Sequence, residues 1–298
     1  CCVMSAAEPR FKAGEALACQ GVGAAPSGGA SAPSAGEAET NFFRRRSLSI
    51  VGVFLVFLAA NAVAGGYVGV DFGAAVADIP AGIVWMAANF VPSAESFGKL
   101  GQILSSLAST VLVSIAASCV AAVFAFVFAV LGSRSVGIGG PVSIAVRAVA
   151  SLFRNIPVVA WAFILLFSFK QSEFTGFFAL FLTSFGYLTR CYLESIDEVS
   201  GGSVEALRAT GASYFSIVAQ AVVPMSITSV ISWVLYMIET NIRDATLIGI
   251  LTGTGIGFVF DLYYKSFRYD IAGLVIAMIV IAVIACEAIS NYVRRQII

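Results

Sequence analysis

Apolar side chains run almost without a break through six stretches of the chain, at 48–64, 100–131, 157–169, 174–192, 222 onward and 271–292. A hydrocarbon core about 30 Å thick takes about 20 helical residues to cross. The pattern therefore predicts an all-α integral membrane protein with about six transmembrane helices. The turns between the stretches carry the charge. Arg44, Arg45 and Arg46 precede the first, Arg134, Arg147 and Arg154 lie between the second and third with no acid among them, and Arg294 and Arg295 close the last. Basic residues stay on the cytoplasmic side, so both termini are expected inside, an N-in/C-in arrangement.

Within this frame, residues 1–46 read as a disordered cytoplasmic head rich in Ala, Gly, Ser and Pro, and residues 47–298 as the membrane domain. Met4 is a candidate start. The small residues Ala62 and Ala64 resemble a signal cleavage site, but the head is far longer than a normal signal n-region, and the first span is expected to be retained. Residues 71–99 read as an external loop with an interfacial helix around Trp85. Alanines at 117, 121, 125 and 129, with Ser114 and Ser118 beside them, put a small-residue stripe on the second span, which predicts close packing inside the bundle.

Residues 203–224 interrupt the apolar pattern on the cytoplasmic side. Gly202 or Ser203 can cap a short helix containing Glu205 and Ala206, and Gly211 suits its left-handed stop. Ser213 can cap a second helix, whose apolar face would be Phe215, Val218, Ala219 and Val222 before Pro224 opens the next span. This pair is either a surface linker or a docking element for a soluble partner. Further on, the count from Pro224 places Glu239, Asn241 and Arg243 at membrane depth, where ionisable groups face a bundle interior or a watery path. Glu239 and Arg243 are spaced to pair on one helix face. Either they neutralise each other, or Arg243 lines an anion route with Asn241 and Thr246. The alternating Gly253, Gly255 and Gly257 lack the spacing of a dinucleotide loop; broken backbone at that depth fits the lining of a cavity.

Composition narrows the chemistry. Of 298 residues, 59% are hydrophobic and only 11% charged, with a mean hydropathy of +0.94, too little polar surface for a water-soluble globule. Seventeen basic and seventeen acidic residues give no net bias toward nucleic acid. There is no histidine, and the six cysteines are scattered without metal-ligand spacing, so no catalytic constellation, metal site or cofactor is expected. No phosphate-binding GxxxxGK[ST] loop is present either.

Glu205, Ala206, Gly211 and Pro224 resemble, in identity and spacing, the EAA loop of importer-type ABC transporter permeases. A narrower likeness runs through Arg154-Asn155-Ile156-Pro157, Glu205 to Ser213, Tyr236 with Glu239-Thr240-Asn241-Ile242-Arg243, and Ala245 to Gly249. These segments are similar to the permeases of phosphonate transporters, within the binding-protein-dependent transport permease family. The resemblance implies a multi-pass subunit of the bacterial inner membrane, without its own ATPase site. It further implies a homodimer served by two cytoplasmic ATPase subunits and an extracytoplasmic substrate-binding protein. Glu205, Ala206, Gly211 and Pro224 would couple it to the ATPase. Glu239, Asn241, Arg243, Thr246, Gly253, Gly255 and Gly257 would lie on the path of a phosphonate or related phosphorus oxyanion. Alternatives are a permease for phosphite, phosphate, methionine or betaine, or a stand-alone ion-coupled carrier or channel using Glu239, Arg243 and Asp244.

Overall fold

The computed structural model describes residues 35–69 and 72–297, and no strand occurs among them. The first 34 residues of the expected head lie outside the described residues. Helix α1 spans Ala35–Val68 and so begins before residue 47; its leading segment, AGEAETNFFRRR, is built largely from strong helix formers. Helix α2 covers Phe72–Asn89, with Pro80 inside it, where part of an external loop is expected.

From Asp78 onward the chain forms one compact unit. Its elements are α3 (Leu100–Gly132), α4 (Gly140–Asn155), α5 (Val158–Phe169), α6 (Glu173–Val199), α7 (Gly201–Ala209), α8 (Tyr214–Ile217), α9 (Val223–Thr252), α10 (Gly255–Lys265) and α11 (Tyr269–Ile297). Among the described residues, four helical stretches are long and apolar enough to cross a membrane: Arg46–Val68, Ser96–Gly132, Tyr214–Thr252 and Tyr269–Gln296. The pair α4 and α5 adds a fifth if it counts as one span, and it is bent by 91°. Helix α6, expected as a further span, is 27 residues long, about 40 Å at 1.5 Å per residue, but Ser, Thr, Gly and charged side chains dilute its hydropathy. It is held by packing: α3 and α9 lie against it.

The alanine stripe explains why these helices approach so closely. Ala117, Ala121, Ala125 and Ala129 are all fully buried, as are Ser114 and Ser118. Lipid tails are as apolar as leucine, so helix association here depends on dispersion between closely fitted surfaces. Small side chains on α3 let large ones on α6 fill the groove, and Phe185, Leu188 and Tyr192 belong to the same buried cluster as Ala121, Ala125 and Ala129. A second cluster joins Ile103 and Leu107 of α3 to Ile256 of α10 and to Ile271, Leu274 and Val275 of α11. At the edge of that cluster Trp85 meets Tyr269 edge-on, ring centroids 5.4 Å apart.

The break between α4 and α5 has a local cause. Pro157 disfavours helical backbone at Ile156, whose φ/ψ of −87°/121° is extended, and α5 restarts at Val158. The broken joint sits against Gly186, where an added Cβ would stand 2.7 Å from both the Arg154 nitrogen and the Phe153 Cβ. Gly186 lies thirteen residues from either end of α6.

Candidate functional site

The cytoplasmic helix pair is built from its caps. Helix α7 starts after Ser200, upstream of the expected Gly202 or Ser203, and the Ser200 hydroxyl donates back to the Ile196 carbonyl at 2.6 Å instead of capping it. Its end is a Schellman turn: Gly211 adopts φ +76°, its N–H donates to the Arg208 carbonyl at 3.0 Å, and the Ala212 N–H donates to the Leu207 carbonyl at 3.1 Å. The two carbonyls are satisfied and the chain reverses, leaving Glu205, Ala206, Arg208 and Gly211 exposed on one outward surface. Ser213 caps α8 as expected, its Oγ accepting from the Ser216 N–H.

Beyond Ser213 the chain departs from the expected short helix and fresh start. Tyr214–Thr252 is one continuous 39-residue helix, widened to a π turn over Val218–Val222. Pro224 has no N–H, and its ring would crowd the carbonyl of Gln220 four residues back; the wider turn makes room without breaking the helix. Motion of α8 can therefore pass into α9 along a single rod. The buried face is also rotated from the expected one. Ile217, Ala221 and Val222 face inward with Val204 of α7, whereas Phe215 is 83% exposed and Ala219 is exposed.

Asp197, close to the end of α6, pins the turn between α3 and α4 to α6. Its Oδ1 accepts from Ser133 Oγ at 2.7 Å and from the Arg134 N–H at 2.8 Å, and its Oδ2 from the Arg147 guanidinium at 2.8 Å. Burial raises the pKa of this carboxyl, but these donors outweigh it and hold the group below the ordinary carboxylate value. A depressed folded-state pKa contributes stability above the unfolded value, about 3.9, and that contribution is lost as pH falls through the folded value. Asp197→Ala is expected to lower stability by about 1–3 kcal/mol at neutral pH, read as a thermal shift in detergent. The difference from the wild type should shrink below about pH 4.

At membrane depth Asn241 is a tie between three helices. It is 1% exposed, and its Nδ2 donates to Ser118 Oγ of α3 at 2.8 Å and to Ser184 Oγ of α6 at 2.7 Å. Ser114 Oγ donates to the Asn241 carbonyl at 3.2 Å. Ser114 and Ser118 stand in the small-residue stripe read from the sequence, which did not show them as partners of Asn241, and Ser184 on α6 carries no such signal. Arg243 and Glu239 form the expected i, i+4 pair at 3.1 Å, the arginine side chain 49% exposed and the glutamate 14%. Thr246 donates back to the Ile242 carbonyl at 3.3 Å.

The glycine run forms the joint between α9 and α10. Gly253 (φ +67°) and Gly255 (φ +62°) hold left-handed turns. A Cβ on Gly249 would lie 2.6 Å from the Thr254 carbonyl oxygen, and one on Gly257 would collide with the Thr246 carbonyl oxygen. Gly257 thus lets two helix backbones touch. Gly255 lines a small cleft, together with Ser109, Thr110, Glu173, Thr252 and Thr254. Ser109 donates to Glu173 at 2.9 Å, and Thr110 Oγ1 accepts from the Ile256 N–H at 2.9 Å. The other expected pathway residues do not line this cleft.

Membrane-length helices around a polar layer, a broken span and a capped surface pair define a multi-pass membrane protein. Residues 121–297 match the family described as binding-protein-dependent transport system inner membrane component, and the chain belongs to that family. It is 24% identical over 204 residues to the phosphate-import permease protein PhnE of Mycolicibacterium smegmatis, covering 68% of this chain and 38% of that one. It is 27% identical over 190 residues to the phosphite transport system permease protein PtxC of Stutzerimonas stutzeri, covering 64% and 69%. The chain thus spans little more than a third of the length of the first relative. Among solved structures, an inward-facing form of the MetNI methionine ABC transporter superposes with a TM-score of 0.57 at 20% identity, covering 66% of this chain and 98% of that one. An amino acid ABC transporter superposes with a TM-score of 0.58 at 14% identity, covering 68% and 98%. At these identities the likeness concerns the fold.

Proposed function

We propose that this chain is the membrane-spanning subunit of an ATP-driven importer for a phosphorus oxyanion, phosphonate or its relatives phosphite and phosphate. The observation that carries the coupling half of this reading is the Schellman-closed α7, which presents Glu205, Ala206 and Gly211 outward beside a helix that runs unbroken from Tyr214 into the membrane. A cytoplasmic ATPase dimer docks on that surface, and its closure moves α8 and α9 as one body. Pro224 serves by forcing the π turn that keeps the rod continuous yet compliant. ATP chemistry belongs to the partner, a substrate-binding protein delivers the anion from outside, and a second copy of the chain completes the pore. The oxyanion half rests on the names of the relatives. The pathway runs beside Glu239, Asn241, Arg243 and Thr246, with Gly253, Gly255 and Gly257 setting the joint that flexes at its outer end.

The test is reconstitution of the chain with its ATPase and binding protein in proteoliposomes, followed by uptake of labelled phosphate, phosphite and a simple phosphonate. ATP-dependent accumulation of at least one is expected. Accumulation driven by an ion gradient without ATP would instead identify a stand-alone carrier, and no uptake of any phosphorus oxyanion would sink the substrate assignment.

A further inference from the structure

An oxyanion crossing apolar surroundings needs a positive charge not already neutralised. The cleft at the outer end of α3 does not supply one: its ionisable side chain is Glu173. Arg243 is paired with Glu239 at 3.1 Å. Arg154 differs from both. It has no carboxylate within ion-pair distance among the described residues, and its guanidinium carbon lies 5.7 Å from the centroid of the Tyr187 ring. Tyr187 is stacked in turn on Tyr236 of α9, ring centroids 6.0 Å apart.

The depth of this arginine is set by the backbone. Arg154 packs against Gly186, at the middle of α6 and two residues from Ser184, whose hydroxyl meets Asn241. The same layer includes Ser118, near the middle of α3. A charged side chain exposed at that level is disfavoured against lipid tails and is normally directed to a water-filled route. An aromatic face attracts the guanidinium without satisfying its N–H donors, which stay free for an anion. The uncapped start of α5 at Val158 adds a helix-dipole charge of the same sign beside it.

We infer that Arg154, seated over Tyr187 beside Tyr236 at the broken joint of α4 and α5, is the cation that contacts the translocated phosphorus oxyanion. The inference rests on the importer reading above and gives that pathway its anion contact. The guanidinium binds two oxygens of the anion side by side, and the neighbouring phenols of Tyr187 and Tyr236 would turn their hydroxyls to the others.

The experiment uses the assembled transporter in proteoliposomes, measuring phosphate uptake and ATP hydrolysis stimulated by loaded binding protein. Arg154→Gln is expected to cut uptake at least tenfold while stimulated hydrolysis stays within twofold, so that far more ATP is spent per anion moved. Arg154→Lys should recover part of the uptake, whereas Arg243→Ala, which removes a neutralised cation, should cost less than Arg154→Gln. Uptake by Arg154→Gln within twofold of the wild type overturns the inference and leaves the importer reading standing. A wild type that moves no phosphorus oxyanion removes the substrate assignment on which the inference rests. If Arg154→Gln does not assemble, the double variant Tyr187→Phe, Tyr236→Phe decides, since it keeps the rings and removes the donors: reduced uptake supports the contact and unchanged uptake overturns it.

Discussion

Gly211→Asp is expected to abolish ATP-driven uptake while the protein still accumulates in the membrane. The expectation comes from what surrounds this glycine and from what does not. Gly211 sits at φ +76°, closing α7 by two backbone hydrogen bonds, and a Cβ built there meets no atom of the chain within 4 Å. Packing inside the subunit therefore tolerates a side chain. The backbone tolerates aspartate as well, since Asp enters left-handed conformation more readily than most residues, at about 1–2 kcal/mol. The new side chain and its charge would instead meet whatever docks on the surface formed by Glu205, Ala206 and Gly211. Uptake should fall at least tenfold, a loss of about 1.4 kcal/mol or more in the coupling contact, and the ATPase should no longer co-purify. Gly211→Ala should do less, having no charge. Normal ATPase binding and uptake in Gly211→Asp would return this helix pair to a surface linker.

The second large effect is on folding. Gly257→Leu is expected to leave little stable protein, because a Cβ at this position strikes the Thr246 carbonyl oxygen and comes within 2.8 Å of the Ile250 nitrogen. Both obstacles are backbone of α9 and cannot rotate away as a side chain could. Overpacking a tight site costs about 1–3 kcal/mol and more where backbone must move, and here α10 would have to lift from α9. That movement would also pull Ile256 out of the buried cluster it shares with Ile103 and Ile271. Gly249→Leu should behave alike, with Thr254 O as the obstacle at 2.6 Å. Gly253→Ala should be milder: its neighbour is the Gln171 side chain at 3.5 Å, and its cost is that of positive φ. The measure is the yield and monodispersity of purified protein in detergent. A well-folded, transporting Gly257→Leu would show that the α9–α10 contact is not needed.

Much of this organisation is legible along the chain because it depends on neighbours. Apolar runs of the right length place most of the spans, alanines four apart mark the buried face of α3, and Gly211 and Ser213 punctuate the helix pair by capping rules that act within a few residues. The Glu239–Arg243 pair is equally local, one helical turn apart. The misreadings also lie in this range. Treating Pro224 as a helix start overlooks that a π turn can carry proline through a continuous helix. That turn changes the angular step, so Phe215 points outward and Ile217 inward.

Sequence alone determined that the chain is a helical membrane protein, which side its basic turns favour, and where Gly211 and Ser213 punctuate the helix pair, since hydropathy, charge placement and helix caps are properties of short segments. Tertiary structure decided what those segments do to one another. Asn241 finds its partners 57 and 123 residues away, on helices whose azimuth no periodicity records. Gly257 proved to be a contact between backbones, which only the crossing of α9 and α10 reveals. Arg154 looks along the chain like one more basic residue of a cytoplasmic turn, because local charge rules carry no information about depth. The fold places it halfway along α6, because Pro157 breaks the α4–α5 span there and Gly186 lets the broken joint come close.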